Sequence, residues 1–169
     1  MLGVKINDTQ NAIDQLKLEK VAQEGNMVKY STENDNDFSV TIVNDKVVYM
    51  ENDWLQDVKS RQPLYSDFSF GETTLKDIRN KFGTNGFTYK SRLAFTTKTD
   101  LVQFNCFEFD SPNHEVLVTI TKVSLKENVL ENIAEKLKLD ALIIADKNYL
   151  DKTWGQDKVF DKNYKKIKP

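Results

Sequence analysis

The chain is short of most residues that carry catalytic chemistry. Of its 169 residues only one is cysteine, one is histidine and three are proline. With Cys106 alone, no internal disulfide can form, which favours a reducing compartment but is also usual for many envelope domains. With His114 alone, a histidine-based triad or a multi-histidine metal site is excluded, because each needs partners the chain lacks. The six glycines are scattered singly, so no glycine-rich phosphate loop exists. No apolar run approaches the roughly 18 residues of a membrane-spanning helix. Leu2-Gly3-Val4 is followed at once by Lys5, so no signal peptide is read at the start. A periplasmic or secreted protein whose signal preceded Met1 and was removed, and a cytoplasmic protein, both fit this start.

Charge of one sign is also missing. Charged residues make up 30% of the chain, yet the net is -2 with signs well mixed. Nucleic-acid binding would favour a basic stripe, so no nucleic acid is expected. What is present is a hydrophobic content of 39% and an aromatic content of 11%, enough for one packed domain over 1–169.

The pattern is clearest from Phe68 to Tyr89. Thr73 or Thr74 caps a helix whose stripe is Leu75, Ile78 and Phe82. Gly83 stops it, Asn85-Gly86 turns the chain, and Phe87 and Tyr89 start a strand. A second unit of this type, 68–123, continues with Leu93 and Phe95, a strand 101–109 and a strand 115–123. Phe104, Cys106, Phe107 and Phe109 cannot share one face at period two, so a bulge near Cys106 or burial on both faces is predicted.

A first unit, 3–50, has the same order. Asp8 or Thr9 caps a helix with Ala12, Ile13 and Leu16 on its stripe, extended by Leu18 and Val21. Gly25-Asn26 turns into a strand with Val28 and Tyr30, and VTIVNDKVVYM reads as a hairpin around Asn44-Asp45. Residues 51–67 form a connector broken by Pro63. Residues 124–169 are a C-terminal helix and tail: Ser124 to Glu127 fits a capping box, and Val129 to Ile144 keeps helical spacing, although Leu142-Ile143-Ile144 also fits a short buried strand. The predicted fold is α+β: an antiparallel sheet with helices packed on one face, two tandem helix-plus-strands units and a C-terminal helix.

Each group with chemical potential has an ordinary reading. His114 follows Pro112-Asn113 and reads as a surface turn histidine. Cys106 sits among phenylalanines and reads as an inert core thiol. The run Glu33 to Asp37 offers oxygen ligands in a row, as calcium prefers, but lacks the glycine and distal glutamate of an EF-hand and reads as a solvated loop. No enzyme activity, no cofactor and no bound transition metal are therefore expected. A polar sheet face carries the remaining information. Thr88, Lys90, Arg92, Gln103, Asn105, Thr119 and Thr121 fall on one side of the strands, with Arg92 as the anchor of a binding surface and Lys90 and Gln103 beside it. Leu75, Ile78 and Phe82 are expected to pack on the other side, against Phe87, Tyr89, Leu93 and Phe95.

Asn7-Asp8-Thr9, Gly71-Glu72-Thr73 and the helix end Phe82-Gly83, set in this paired order, resemble two small α+β families. One is the β-lactamase-inhibitor-protein-like family of tandem helix-plus-sheet units. The other is the SmpA/OmlA (BamE-like) outer-membrane assembly lipoprotein family. The resemblance covers residues 3–123 and implies a bacterial envelope or secreted protein that works by binding another protein, as an inhibitor or assembly adaptor. A cytoplasmic immunity-type or adaptor protein is the alternative. A small hydrolase with a carboxylate pair is a third reading, which a deep pocket with two converging acids would favour over an open polar sheet.

Overall fold

The computed structural model describes residues 1–33, 36–127 and 131–168. Parts of the loop Glu33 to Asp37 and the helical positions Val129 and Leu130 lie outside the described residues. The fold is mixed α+β. In chain order the elements are α1 Gln10–Asp14, β1 Lys20–Glu24, β2 Met27–Ser31, β3 Asp37–Val43, β4 Lys46–Asp53, α2 Leu75–Phe82, β5 Phe87–Tyr89, a 3-10 turn Lys90–Arg92, β6 Phe95–Thr96, β7 Asp100–Glu108, β8 Glu115–Ser124, α3 Ile133–Lys136, β9 Lys138–Asp146, α4 Lys147–Trp154 and β10 Lys158–Phe160.

These ten strands make one antiparallel open sheet in the order β1-β2-β3-β4-β9-β8-β7-β5-β10, with β6 paired to β7. In both halves the chain runs from the edge of the sheet to its centre, β1 to β4 and then β5 to β9, the halves join where β4 pairs β9, and β10 returns to the far edge beside β5. The start of each half is fastened alike: Thr9 bridges to Lys46 at the head of β4, and Thr74 bridges to Lys138 at the head of β9. Both threonines are helix N-caps.

Local chemistry explains the strongest elements. Asn44 and Asp45 both take positive φ, 50° and 59°, the conformation a two-residue hairpin needs, and they join β3 to β4. The Thr74 side chain accepts from the Asp77 amide, and Asp77 returns the bond to the Thr74 amide, which completes a capping box for α2. Gly83 ends α2 in the left-handed region.

The main core lies on one face of the sheet. Val40, Met50, Phe107, Leu117, Leu142 and Ile144 meet Ile13 of α1, Ile78 of α2, and Phe68 and Phe70 of the connector. Leu75 packs separately with Val123 and Leu137. Residues of the opposite parity form a second core: Cys106, Val116, Val118, Ile143 and Ala145 meet Phe87, Tyr89 and Leu150 of α4.

Several expectations are corrected here. Helices do not share one face, because α4 covers the side opposite α1 and α2. Residues 124–155 are not one helix; β9 runs through them as a central strand, since Leu139 to Ala145 is apolar enough to be buried from both sides. Lys20–Glu24 is a strand instead of an extension of α1, hairpinned to β2 through Gly25-Asn26. Phe87 and Tyr89 pack under α4, whereas Leu93 and Phe95 are 53% and 48% exposed. The pairing of β7 with β8 runs without a shift from Asp100 to Glu108, so burial on both faces, and no bulge, resolves the run around Cys106.

Candidate functional site

The polar residues expected on one binding face are divided by the fold. Gln103, Asn105, Thr119 and Thr121 do share a side of β7 and β8, but it is the side that also carries Phe107, Leu117 and Val123 beneath α2. Asn105, Thr119 and Thr121 are buried, and Gln103 is half-buried. They are therefore not a surface. The threonines tolerate burial because their hydroxyls reach strand carbonyls, Thr119 to Asn105 at 3.5 Å and Thr121 to Gln103 at 3.4 Å. Asn105 Oδ1 has no partner. Thr88, half-buried on β5, donates to the Phe104 carbonyl at 3.1 Å.

Lys90 and Arg92 stay together, in the 3-10 turn after β5 instead of on a strand. The turn is pinned to the end of α4. Ser91 Oγ donates to the Trp154 carbonyl, the Lys90 amide donates to the Asp157 carbonyl at 2.9 Å, and the Lys90 ammonium lies 3.5 Å from Asp157. This fixes the Arg92 guanidinium 5.0 Å from the centroid of the Trp154 ring, a cation–π contact. The ring in turn meets Phe104 edge-on at 6.0 Å and Tyr89 edge-on at 5.5 Å. Phe95 leans on Phe104 at 6.3 Å. Arg92, Leu93 and Phe95 are exposed, and Phe104 and Trp154 are half-buried, so aromatic and cationic groups reach solvent together.

A charged network holds α4 and β5 rigid beneath that surface. Tyr89 Oη donates to Asp151 Oδ1 at 2.6 Å, and the buried Lys158 ammonium lies 2.6 Å from the same oxygen and 4.8 Å from the Tyr89 ring centroid. Burial works against the Asp151 charge, but the bonds from Lys158 and Tyr89 prevail and hold its carboxyl below the usual range. Burial, aided by Asp151, pushes the Tyr89 phenol far up.

The side of the sheet that carries α4 continues over β2 to β4 as a face of buried and half-buried side chains. Its side chains include Lys29, Asp37, Ser39, Tyr49, Glu51 and Asp53. Tyr49 Oη donates to Glu51 at 2.7 Å, and Lys29 pairs with Asp37. Glu51 and Asp53 are neighbours on one side of β4. Burial raises both carboxyls; Asp53, with Glu51 and Asp37 adding their charge, is pushed up to about 7. These two acids sit side by side on a half-buried sheet face, and the clefts of about 660, 440 and 290 Å³ are lined by other residues. Among the described residues no group of three or more histidine, cysteine or acidic side chains could hold a metal ion. Cys106 is fully buried, and desolvation raises its thiol well above the ordinary value. His114 is exposed in its turn, at φ 51°.

Arg92, expected as a binding residue, lies on a platform that the sequence did not reveal. Trp154 and Phe104 were legible only as apolar residues of distant segments, and nothing local in the sequence brings them together.

No family model matches the chain, and no curated protein matches it. A solved structure, an extracellular protein containing an SCP domain from Bacillus anthracis str. Ames, is similar at 10% identity and a TM-score of 0.48. The match covers 95% of this chain and 50% of that one, so the chain spans about half the length of that protein. No helix among the described residues is long and apolar enough to cross a membrane.

Proposed function

We propose that this chain is a non-enzymatic protein-binding domain of the bacterial envelope or secreted space, of inhibitor or adaptor type. The observation that carries the reading is Arg92 laid over Trp154 with Leu93, Phe95 and Phe104 beside it. Arginine and aromatic side chains dominate the energetics of protein interfaces, and here they are already held in place, so little ordering cost remains on binding. The partner surface that fits offers apolar side chains to Leu93 and Phe95 and a carboxylate to Arg92. The envelope setting rests on the resemblance to the inhibitor-like and lipoprotein families.

The half-buried polar face with Asp37, Glu51 and Asp53 favours a second reading, a cytoplasmic immunity-type or adaptor protein whose partner meets these side chains. The two readings separate by variant. The partner is recovered by pull-down, and its affinity is measured for Arg92→Ala, for Asp53→Asn and for Lys76→Ala on the α2 surface. The first reading expects a loss of about 2 kcal/mol or more for Arg92→Ala alone. Unchanged affinity for Arg92→Ala defeats it, and a loss confined to Asp53→Asn transfers the site to the acidic face.

A further inference from the structure

An apolar cleft lies on the other side of the sheet, away from Arg92. It encloses about 660 Å³ between the connector, α2 and the C-terminal segment. That volume is in the range of small-ligand sites. Its floor is Leu117 of β8 and Phe109, and its walls are Pro63, Leu64, Phe68 and Phe82. The aromatic walls are mutually braced. Phe82 meets Phe68 edge-on at 5.8 Å and Phe107 at 4.9 Å, so the cleft is pre-formed.

The rim is cationic. Lys81 and Lys168 stand at the mouth with a single acid, Asp67. Asp67 is already engaged: it pairs with Lys81, whose ammonium also sits 5.0 Å from the Phe68 ring centroid. Lys168 is exposed and has no carboxylate partner among the described residues. An apolar trough with one uncommitted cation at its edge is complementary to an apolar body with an anionic head.

The Leu64 amide donates to Asn52 Oδ1 at 2.9 Å, and the Phe68 amide donates to Ser66 Oγ at 3.2 Å. The Ser66 carbonyl accepts from Gln62 at 2.6 Å. These three backbone groups are thus already satisfied within the chain, which leaves shape and charge as the means of recognition there. We infer that this cleft binds a medium-chain acyl carboxylate, with the alkyl chain over Leu117, Phe109 and Phe82 and the head group at Lys168.

The test uses dodecanoate with the full chain, below the micelle concentration, followed by calorimetry and by methyl NMR of Leu64 and Leu117. Saturable binding is expected, with shifts at both leucines. Lys168→Glu should weaken it by about two- to fivefold, the scale of one exposed ion pair. Lys126→Glu, an exposed lysine elsewhere, should leave it unchanged. Dodecanol should bind more weakly than dodecanoate. Absence of binding up to the solubility limit overturns the inference, as do equal affinities for Lys168→Glu and wild type. Tighter binding of a peptide ending in a Leu-Phe carboxylate would reassign the cleft to peptide termini. None of these outcomes bears on Arg92, which lies across the sheet.

Discussion

Gly86 crosses the Cys106 carbonyl so closely that a Cβ on it would lie 2.2 Å from that oxygen. Its φ of +72° adds a second reason for glycine. Gly86→Ala must therefore push β5 away from β7 at their single register contact, Phe87 to Cys106. A loss of about 3 kcal/mol is expected in urea unfolding. Gly25→Ala, at φ +56° with open space around it, should cost only about 1 kcal/mol. Similar losses for both would show that the close approach does not matter.

The Glu51–Asp53 pair sets a pH dependence of unusual sign. A carboxyl raised to about 7 in the folded state binds more protons folded than unfolded. Its contribution to stability is fully present below the unfolded value, about 4, and is lost as pH rises through 7. The lowered carboxyls of Asp151 and Glu108 act oppositely, so the difference between wild type and Asp53→Asn is the useful quantity. That difference should shift against wild type between about pH 4 and 7. A flat difference across the window would refute the burial of the pair.

Cys106 should be silent in the folded protein. Its thiol has no exposed surface, and burial keeps it protonated. A thiol-specific chromogenic reagent at mildly alkaline pH should label it only after denaturant is added. Stoichiometric labelling under native conditions would place it at a surface.

Leu150 is the buried anchor of α4. Leu150→Ala should cost about 3 kcal/mol. Because Trp154 ends the same helix, its fluorescence should shift toward that of a solvated indole before global unfolding. Arg92→Ala should shift Trp154 emission without that loss of stability, since the guanidinium is exposed.

Elements governed by local chemistry were legible in the sequence. Asn44-Asp45 and the Thr74 to Gly83 helix lie where their turn and cap residues require. What failed was decided at a distance. Leu139 to Ala145 satisfies a helical period as well as a doubly buried strand, and only β4 and β8 on its two sides select the strand. Thr119 and Asn105 read as solvent-facing because of their polarity, yet cross-strand bonding and α2 place them inside. Arg92 is expected as an anchor from its residue type alone, whereas its stacking on Trp154 depends on a turn and a helix that the sequence separates by some sixty residues.

The β4–β9 seam also sets an order of assembly. The first four strands pair with their chain neighbours, so that half can form from local contacts alone. Yet β4 then presents a free edge until β9 arrives, about ninety residues later in the chain, where Asn52 meets Leu142. Closing so long a loop carries an entropic cost that the first half cannot offset by itself. Any state in which β4 has formed before β9 exposes that edge, the kind of site at which a second copy of the chain can add a strand.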